Sequence, residues 1–311
     1  MTLASEIAEI PTRALECAKA NKTVFVDLAS PLIGMGSSYF AALTLQYCDR
    51  QIRAEIASEF DISFPDGNDA FATLISQSGA STETVWCLDH FDDVSVIVNN
   101  VDSPLGKASK AETVIEIHAG QEAFSSTKSY INTLVTLYQA LGADCEQPAL
   151  DLATNWRAFE DHAGLVAGDL AKTISAPETN GRYVIGSGVN LATAYQTALV
   201  LTETTKLPWI GMSVAQFDHG PKEAAANCTI LALDANRNDS SRITHVARLV
   251  GQLPGVNFQR LVATERSAHL SPLSLFSQSA LVMQNLAELF NVGEPFAVGA
   301  KVTTVDDATR S

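Results

Sequence analysis

The stretch Ala72–Trp86, ATLISQSGASTETVW, decides how the rest of the chain is read. Its apolar start suits a buried strand running through AFATLIS, and its end, continuing as STETVWCLDHF, has the apolar spacing of a helix. Between the two lie seven small or polar residues, Ser76-Gln77-Ser78-Gly79-Ala80-Ser81-Thr82. A strand that hands over to a helix through such a turn is the building block of a parallel sheet covered by helices.

The same alternation continues in both directions. Upstream, either TVFVDL or PLIGM reads as a strand, and SYFAALTLQYC as a helix. Downstream, VSVIVNN and ETVIEI read as strands, and STKSYINTLVTLYQALG as an amphipathic helix that Gly142 stops. QPALDLATNWRAFEDHAGLVAGDLAKTI has helical spacing after its Pro and suits a linking helix. The alternation then restarts: RYVIGSG, NCTILALD and VNFQRLVAT are predicted strands, and NLATAYQTALVLTETT, SRITHVARLVGQL and PLSLFSQSALVMQNLAELF are predicted helices. The turn IGMGSS at Gly34 is echoed by IGSGVN at Gly186, each between a strand and a helix. The expectation is an α/β protein of two similar doubly wound α/β/α domains, each with a parallel sheet, spanning 1–150 and 151–311.

Composition excludes several functions. The chain has 311 residues, 20 basic against 35 acidic, and a formal net charge of −15 without a long run of either sign. Nucleic acid and anionic membrane surfaces select for Lys/Arg clusters, so neither is an expected partner. No apolar segment approaches the ~18 residues of a spanning helix, and the start MTLASEIAEIP lacks a basic region followed by an apolar run. The expected location is cytoplasmic. Five scattered cysteines without CxxC spacing suggest neither a disulfide framework nor a zinc site. No metal and no cofactor is expected.

Chemistry concentrates in the Ser76–Thr82 turn. It lies beyond the carboxyl end of a strand and at the start of a helix, where α/β sheets bind ligands and where unpaired amides attract anions. Its hydroxyls can surround a phosphate without any lysine. Capping explains one Ser or Thr at such a place; seven small polar residues in series exceed that need. GMGSSY and GSGVNL both lack the third glycine of a dinucleotide fingerprint, having Tyr39 and Leu191 there. No GxSxG is present for a serine hydrolase. The acidic DHFDD, Asp89 to Asp93, ends a predicted helix and reads as solvated polar surface. Glu203, expected on a helix face with Leu199, Val200 and Leu207, sits in an apolar setting that would raise its pKa. Pro221, expected at the start of a helix, aims His219 from the loop before it.

The segments EIASEF, SQSGASTET, STKSY and DHGP, in this order and spacing, resemble the SIS (sugar isomerase) family. The likeness runs from about residue 30 onward and is nearest to the isomerase half of glucosamine-6-phosphate synthase and its phosphosugar isomerase and deaminase relatives. The resemblance implies that Ser76, Gln77, Ser78 and Ser81 hold a sugar phosphate, with Ser37 and Ser38 beside them. It implies that Ser126, Thr127 and Lys128 line the sugar pocket in a segment reading SSTK where the family reads ASTK. It assigns Glu203 as the proton-transferring base, His219 as the ring-opening residue reaching a neighbouring subunit's site, and Lys301 as a contact to the C1/C2 region. Three departures stand out: Ala80 where Glu is common, Val200 where a lysine often precedes the base, and a tail before Lys301 one residue longer. The synthase's glutamine-hydrolysing domain is not expected. The implied function is a phosphosugar aldose/ketose isomerase of the glucosamine-6-phosphate deaminase type, working as a homodimer with shared active sites. The alternative is a sensor that binds a sugar phosphate without turning it over.

Overall fold

A computed structural model describes residues 2–64, 69–235, 241–265, 267–293, 296 and 298. The chain opens with helices α1 (Leu3–Ala8) and α2 (Ile10–Ala20). It continues through β1 (Leu32–Gly34), α3 (Ser37–Gln46), β2 (Ala54–Ile56), α4 (Ala57–Ser63), β3 (Asp69–Ser76), α5 (Thr82–Trp86), β4 (Phe91–Val98), β5 (Ala111–Glu116) and α6 (Lys128–Ala140). Helix α7 (Glu146–Ala171) leads to β6 (Gly181–Gly186), α8 (Asn190–Thr205), β7 (Ile210–Ser213), α9 (Val214–Asp218), β8 (Cys228–Asp234), α10 (Arg242–Val250), β9 (Asn257–Val262) and α11 (Pro272–Leu289).

Strands β1–β5 form one sheet in the order β2-β1-β3-β4-β5, and β6–β9 another in the order β7-β6-β8-β9. Every strand pair is parallel. The two orders match strand for strand, with β5 an added edge. Their glycines match too: Gly34 and Gly186 end corresponding strands, and a Cβ on either would approach the following helix at 2.9 Å (Ser38 Cβ) or 2.1 Å (Asn190 O). Only glycine lets the helix start that close to the strand. The echoed IGxG motif thus marks one strand-to-helix crossing used twice.

The chain forms two compact units. One comprises Ile10–Glu122 and Lys128–Ala149, and the other continues from Leu150 and takes in residues 2–9 and Ala123–Thr127. The two units and the expected split at 150 differ in two short segments: α1, which packs on α11, and the 123–127 strip both group with the β6–β9 unit. Each unit has its own apolar core. Leu74, Val94, Val96, Phe60 and Phe91 anchor the first, with the Phe60 and Phe91 rings stacked at 5.5 Å. Ile185, Val214, Phe217, Ile230 and Val246 anchor the second.

Several local expectations change. PLIGM supplies β1, whereas TVFVDL is not a strand and leaves Phe25 80% exposed. DHFDD does not end a helix: α5 stops at Trp86, a 3-10 turn spans Cys87–His90, and Phe91–Asp93 begin β4. Within it His90 is buried and its Nε2 lies 2.7 Å from the equally buried Asp61. The helix carrying Glu203 ends at Thr205, where Lys206 turns left-handed (φ 58), so Leu207 does not share its face. The short strands β2 and β7 and the helices α1, α2, α4 and α9 are additions to the sequence reading.

Candidate functional site

In the β1–β5 unit, the chain leaves β1 toward β2 on one side and β3 toward β4 on the other. The reversal opens a crevice at the carboxyl ends of β1 and β3, the position at which open α/β sheets bind ligands. Gly34 pairs with Ile75, so the loops after the two strands leave the sheet side by side. One brings Ser37 and Ser38, half-buried at the start of α3; the other brings Ser76–Thr82.

The turn is held by its own hydrogen bonds, and the Ser81 hydroxyl is not spent on capping. Ser81 occupies the N-cap position of α5 but its side chain accepts no backbone N–H. Instead the buried Ser76 hydroxyl donates to Ser81 Oγ at 3.1 Å. Ser78 is exposed, and its Oγ accepts the Ala80 N–H at 3.2 Å. Gly79 takes φ +64, donates to Ser76 O (3.0 Å) and accepts from Leu105 N–H (2.9 Å). The Gln77 carbonyl accepts from Asn99 N–H at 3.0 Å. Because α5 has only five residues, its dipole is weak, and the hydroxyls and turn amides carry any anion affinity.

The β6–β9 unit holds the titratable groups. Glu203 lies in the last turn of α8, half-buried, and burial pushes its carboxyl above the ordinary value. Two effects oppose that rise, a hydrogen bond from the Ser125 side chain and the positive charge of Lys206. Ser125 is buried in the 123–127 strip, which is held on two sides. The Glu6 carboxylate accepts the N–H groups of Ala123 (2.7 Å) and Phe124 (3.2 Å), and Gln196 of α8 donates to the Ser126 carbonyl at 3.0 Å. A cleft of about 470 Å³ opens beside Ser125 and Thr204, walled by Leu3 of α1 and by Ala287 and Val292 near the end of α11. That volume is within the range of small-molecule clefts.

His219 caps the C-terminus of α9 and is exposed. Pro221 opens a 3-10 turn just after it, and Asp218 before it pairs with Lys222 at 2.8 Å. Thr127 and Lys128 are fully buried. Val200, one turn before Glu203, is fully buried as well, so no cation replaces the absent lysine at that position. Lys301 and the tail before it lie outside the described residues. The structure thus groups Ser37, Ser38, Ser76, Gln77, Ser78 and Ser81 around one crevice, and Glu203 and Ser126 in the other unit. Sequence reasoning passed over Ser125, Glu6 and Gln196. Only Ser125 had a signal, its place beside Ser126. Among the described residues no three His, Cys, Asp or Glu side chains form a metal-binding group, and no helix is long and apolar enough to cross a membrane.

No family model matches the chain. Individual proteins do. The glutamine–fructose-6-phosphate aminotransferase (isomerizing) of Pyrobaculum aerophilum is 29% identical over 212 residues, 61% of this chain and 34% of that protein. The chain thus aligns with about a third of the length of the curated relatives it matches. Among solved structures, the C-terminal domain of glucosamine-fructose-6-phosphate aminotransferase from Francisella tularensis superposes with a TM-score of 0.73 at 18% identity, covering 93% of this chain and 96% of that one. Glucosamine-6-phosphate deaminase from Thermotoga maritima gives 0.72 at 18% identity, covering 93% and 95%. With twin parallel sheets and these relatives in both sequence and fold, the chain has the fold of the SIS (sugar isomerase) proteins and is homologous to the isomerase part of the glutamine–fructose-6-phosphate aminotransferases.

Proposed function

We propose that the protein is a phosphosugar aldose/ketose isomerase that converts glucosamine 6-phosphate to fructose 6-phosphate with release of ammonia. The observation that carries this reading is Glu203: a half-buried carboxylate whose proton affinity is raised by burial and which a hydroxyl donor holds. A carboxylate in such a place can take a proton from one carbon and return it to its neighbour. In the reaction, the opened sugar loses its C2 proton to Glu203, and the same carboxyl delivers it to C1. The C2 amine becomes an imine, which water hydrolyses to the ketone and ammonia. The serine turn takes the phosphate, Ser126 contacts the sugar, and His219 and Lys301 assist ring opening and the C1/C2 region. His219 is exposed, in keeping with service to a neighbouring subunit, so the active species is a homodimer of cytoplasmic location.

A second reading has one specific observation in its favour. Val200 places a buried methyl pair where the resembling proteins often carry a lysine next to the base, which suits a sensor that binds without turnover. The test is the purified protein with glucosamine 6-phosphate. Ammonia and fructose 6-phosphate formed in equal amounts support the isomerase, and binding without either product supports the sensor. Activity sedimenting at the 33.1 kDa of a single chain would remove the shared-site assignment of His219.

A further inference from the structure

The Glu6 carboxylate is fully buried and has no place in the reaction outlined above. Burying a carboxylate is costly unless donors satisfy it. Here the donors are two consecutive backbone amides, those of Ala123 and Phe124, at 2.7 and 3.2 Å. The next residue is Ser125, whose side chain bonds Glu203. On the other side of Ser125, the carbonyl of Ser126 is fixed by Gln196, which stands on the same helix as Glu203. The buried Glu6 side chain on α1 therefore clamps the strip from one end, the buried Gln196 amide on α8 clamps it from the other, and the Ser125 hydroxyl is the point between them.

We propose that Ser125 is a positioning residue for Glu203, and that Glu6, through the amides of Ala123 and Phe124, holds Ser125 on it. Ser125 fixes which way the carboxylate faces and supplies the hydrogen bond that stabilises its ionised form. The role rests on Glu203 being the base of the proposed isomerase, but the coupling of Glu6 to Ser125 to Glu203 is independent of turnover. Lys206 is the charged group acting on Glu203 from its own helix. On the elements packed against α8, the charged groups are Glu288 on α11, Arg182 on β6 and Asp234 on β8, and β7 carries none. Asp234 lies 3.4 Å from Arg260, Arg182 donates to the Ile174 carbonyl, and Glu288 accepts from Gln284. Each has a partner of its own, and Ser125 is the neutral donor that reaches Glu203.

The experiment is a carbon-13 titration of the Glu203 carboxyl, assigned by its loss in Glu203→Gln, run beside pH profiles of kcat/KM. Ser125→Ala should move the titration midpoint and the acid limb of the profile upward together, and lower kcat by roughly tenfold with KM little changed. Ser125→Thr, which keeps the hydroxyl, should restore the wild-type midpoint. Glu6→Gln should shift the midpoint in the same direction and add nothing to Ser125→Ala in the double variant; Glu6→Asp provides a milder perturbation if Glu6→Gln does not fold. A midpoint unchanged in Ser125→Ala, or Glu6 and Ser125 effects that add in full, would overturn the proposal. A protein without any turnover whose midpoint still moves in this pattern supports the coupling and overturns only the isomerase reading.

Discussion

Gly79 is the residue on which the serine turn depends. Its φ of +64 lies where side chains are disfavoured, and an added Cβ would meet Ser103 Oγ at 1.9 Å and Cβ at 2.4 Å. Gly79→Ala should therefore lower stability by about 2 kcal/mol or more, read by urea denaturation, and weaken sugar phosphate binding as the turn opens. Ser78 behaves in the opposite way. It is exposed, so Ser78→Asp should leave the melting temperature near wild type while placing a negative charge where the proposed function puts the phosphate dianion. Affinity should fall by roughly 10²-fold or more, and calorimetry showing unchanged affinity would remove the turn from phosphate binding. The turn itself was legible in SQSGAST because turn chemistry is local. The Ser125 contact to Glu203 was not, because the two residues are joined by packing between a loop and a helix that no periodicity encodes. The buried Glu6 was less legible still, since an acidic residue near a chain start reads as solvated surface.

Among elements, those with many turns or a full apolar run were legible. NLATAYQTALVLTETT is α8 to the residue, and NCTILALD contains β8, a strand buried along its whole length. What escaped were β2 and β7, three and four residues of half-exposed edge strand with too few positions to show a period, and α5, where five helical residues and a 3-10 turn replace a longer expected helix. Helix α11 carries a titration of its own. Glu265, in the loop before it, accepts the Ser274 N–H at 2.8 Å and the Ser274 hydroxyl. Burial nevertheless outweighs these donors and pushes its carboxyl from 4.5 up to about 7. A group whose folded pKa is raised stabilises the fold fully below the unfolded value, and that contribution is lost as pH rises through the folded one. Between about pH 4.5 and 7 the loss should reach an order of 3 kcal/mol. Glu265→Gln, unable to ionise, should show a flatter dependence of its urea midpoint across that window. A difference from wild type that does not vary with pH would contradict the assignment.

For the molecule as a whole, the repeated sheet order makes the difference between the units more informative than their likeness. Both carry a glycine-closed crossing after the strand beside the switch point, yet only the β1–β5 unit follows its next strand with a serine turn; the corresponding stretch of sequence in the other unit, ANRNDSSR, is bulkier and charged. Under the proposed function this asymmetry predicts a division of roles: one sugar phosphate bound per chain, held by the serine turn, and proton transfer by Glu203. The measurement that tests this division most directly is Glu203→Gln, which keeps shape and hydrogen bonding but removes the base. Calorimetric titration with fructose 6-phosphate should give one site per chain at near wild-type affinity, while turnover of glucosamine 6-phosphate falls by roughly 10²-fold or more. Retained turnover in the variant, or two sugar phosphates bound per chain, would contradict the account.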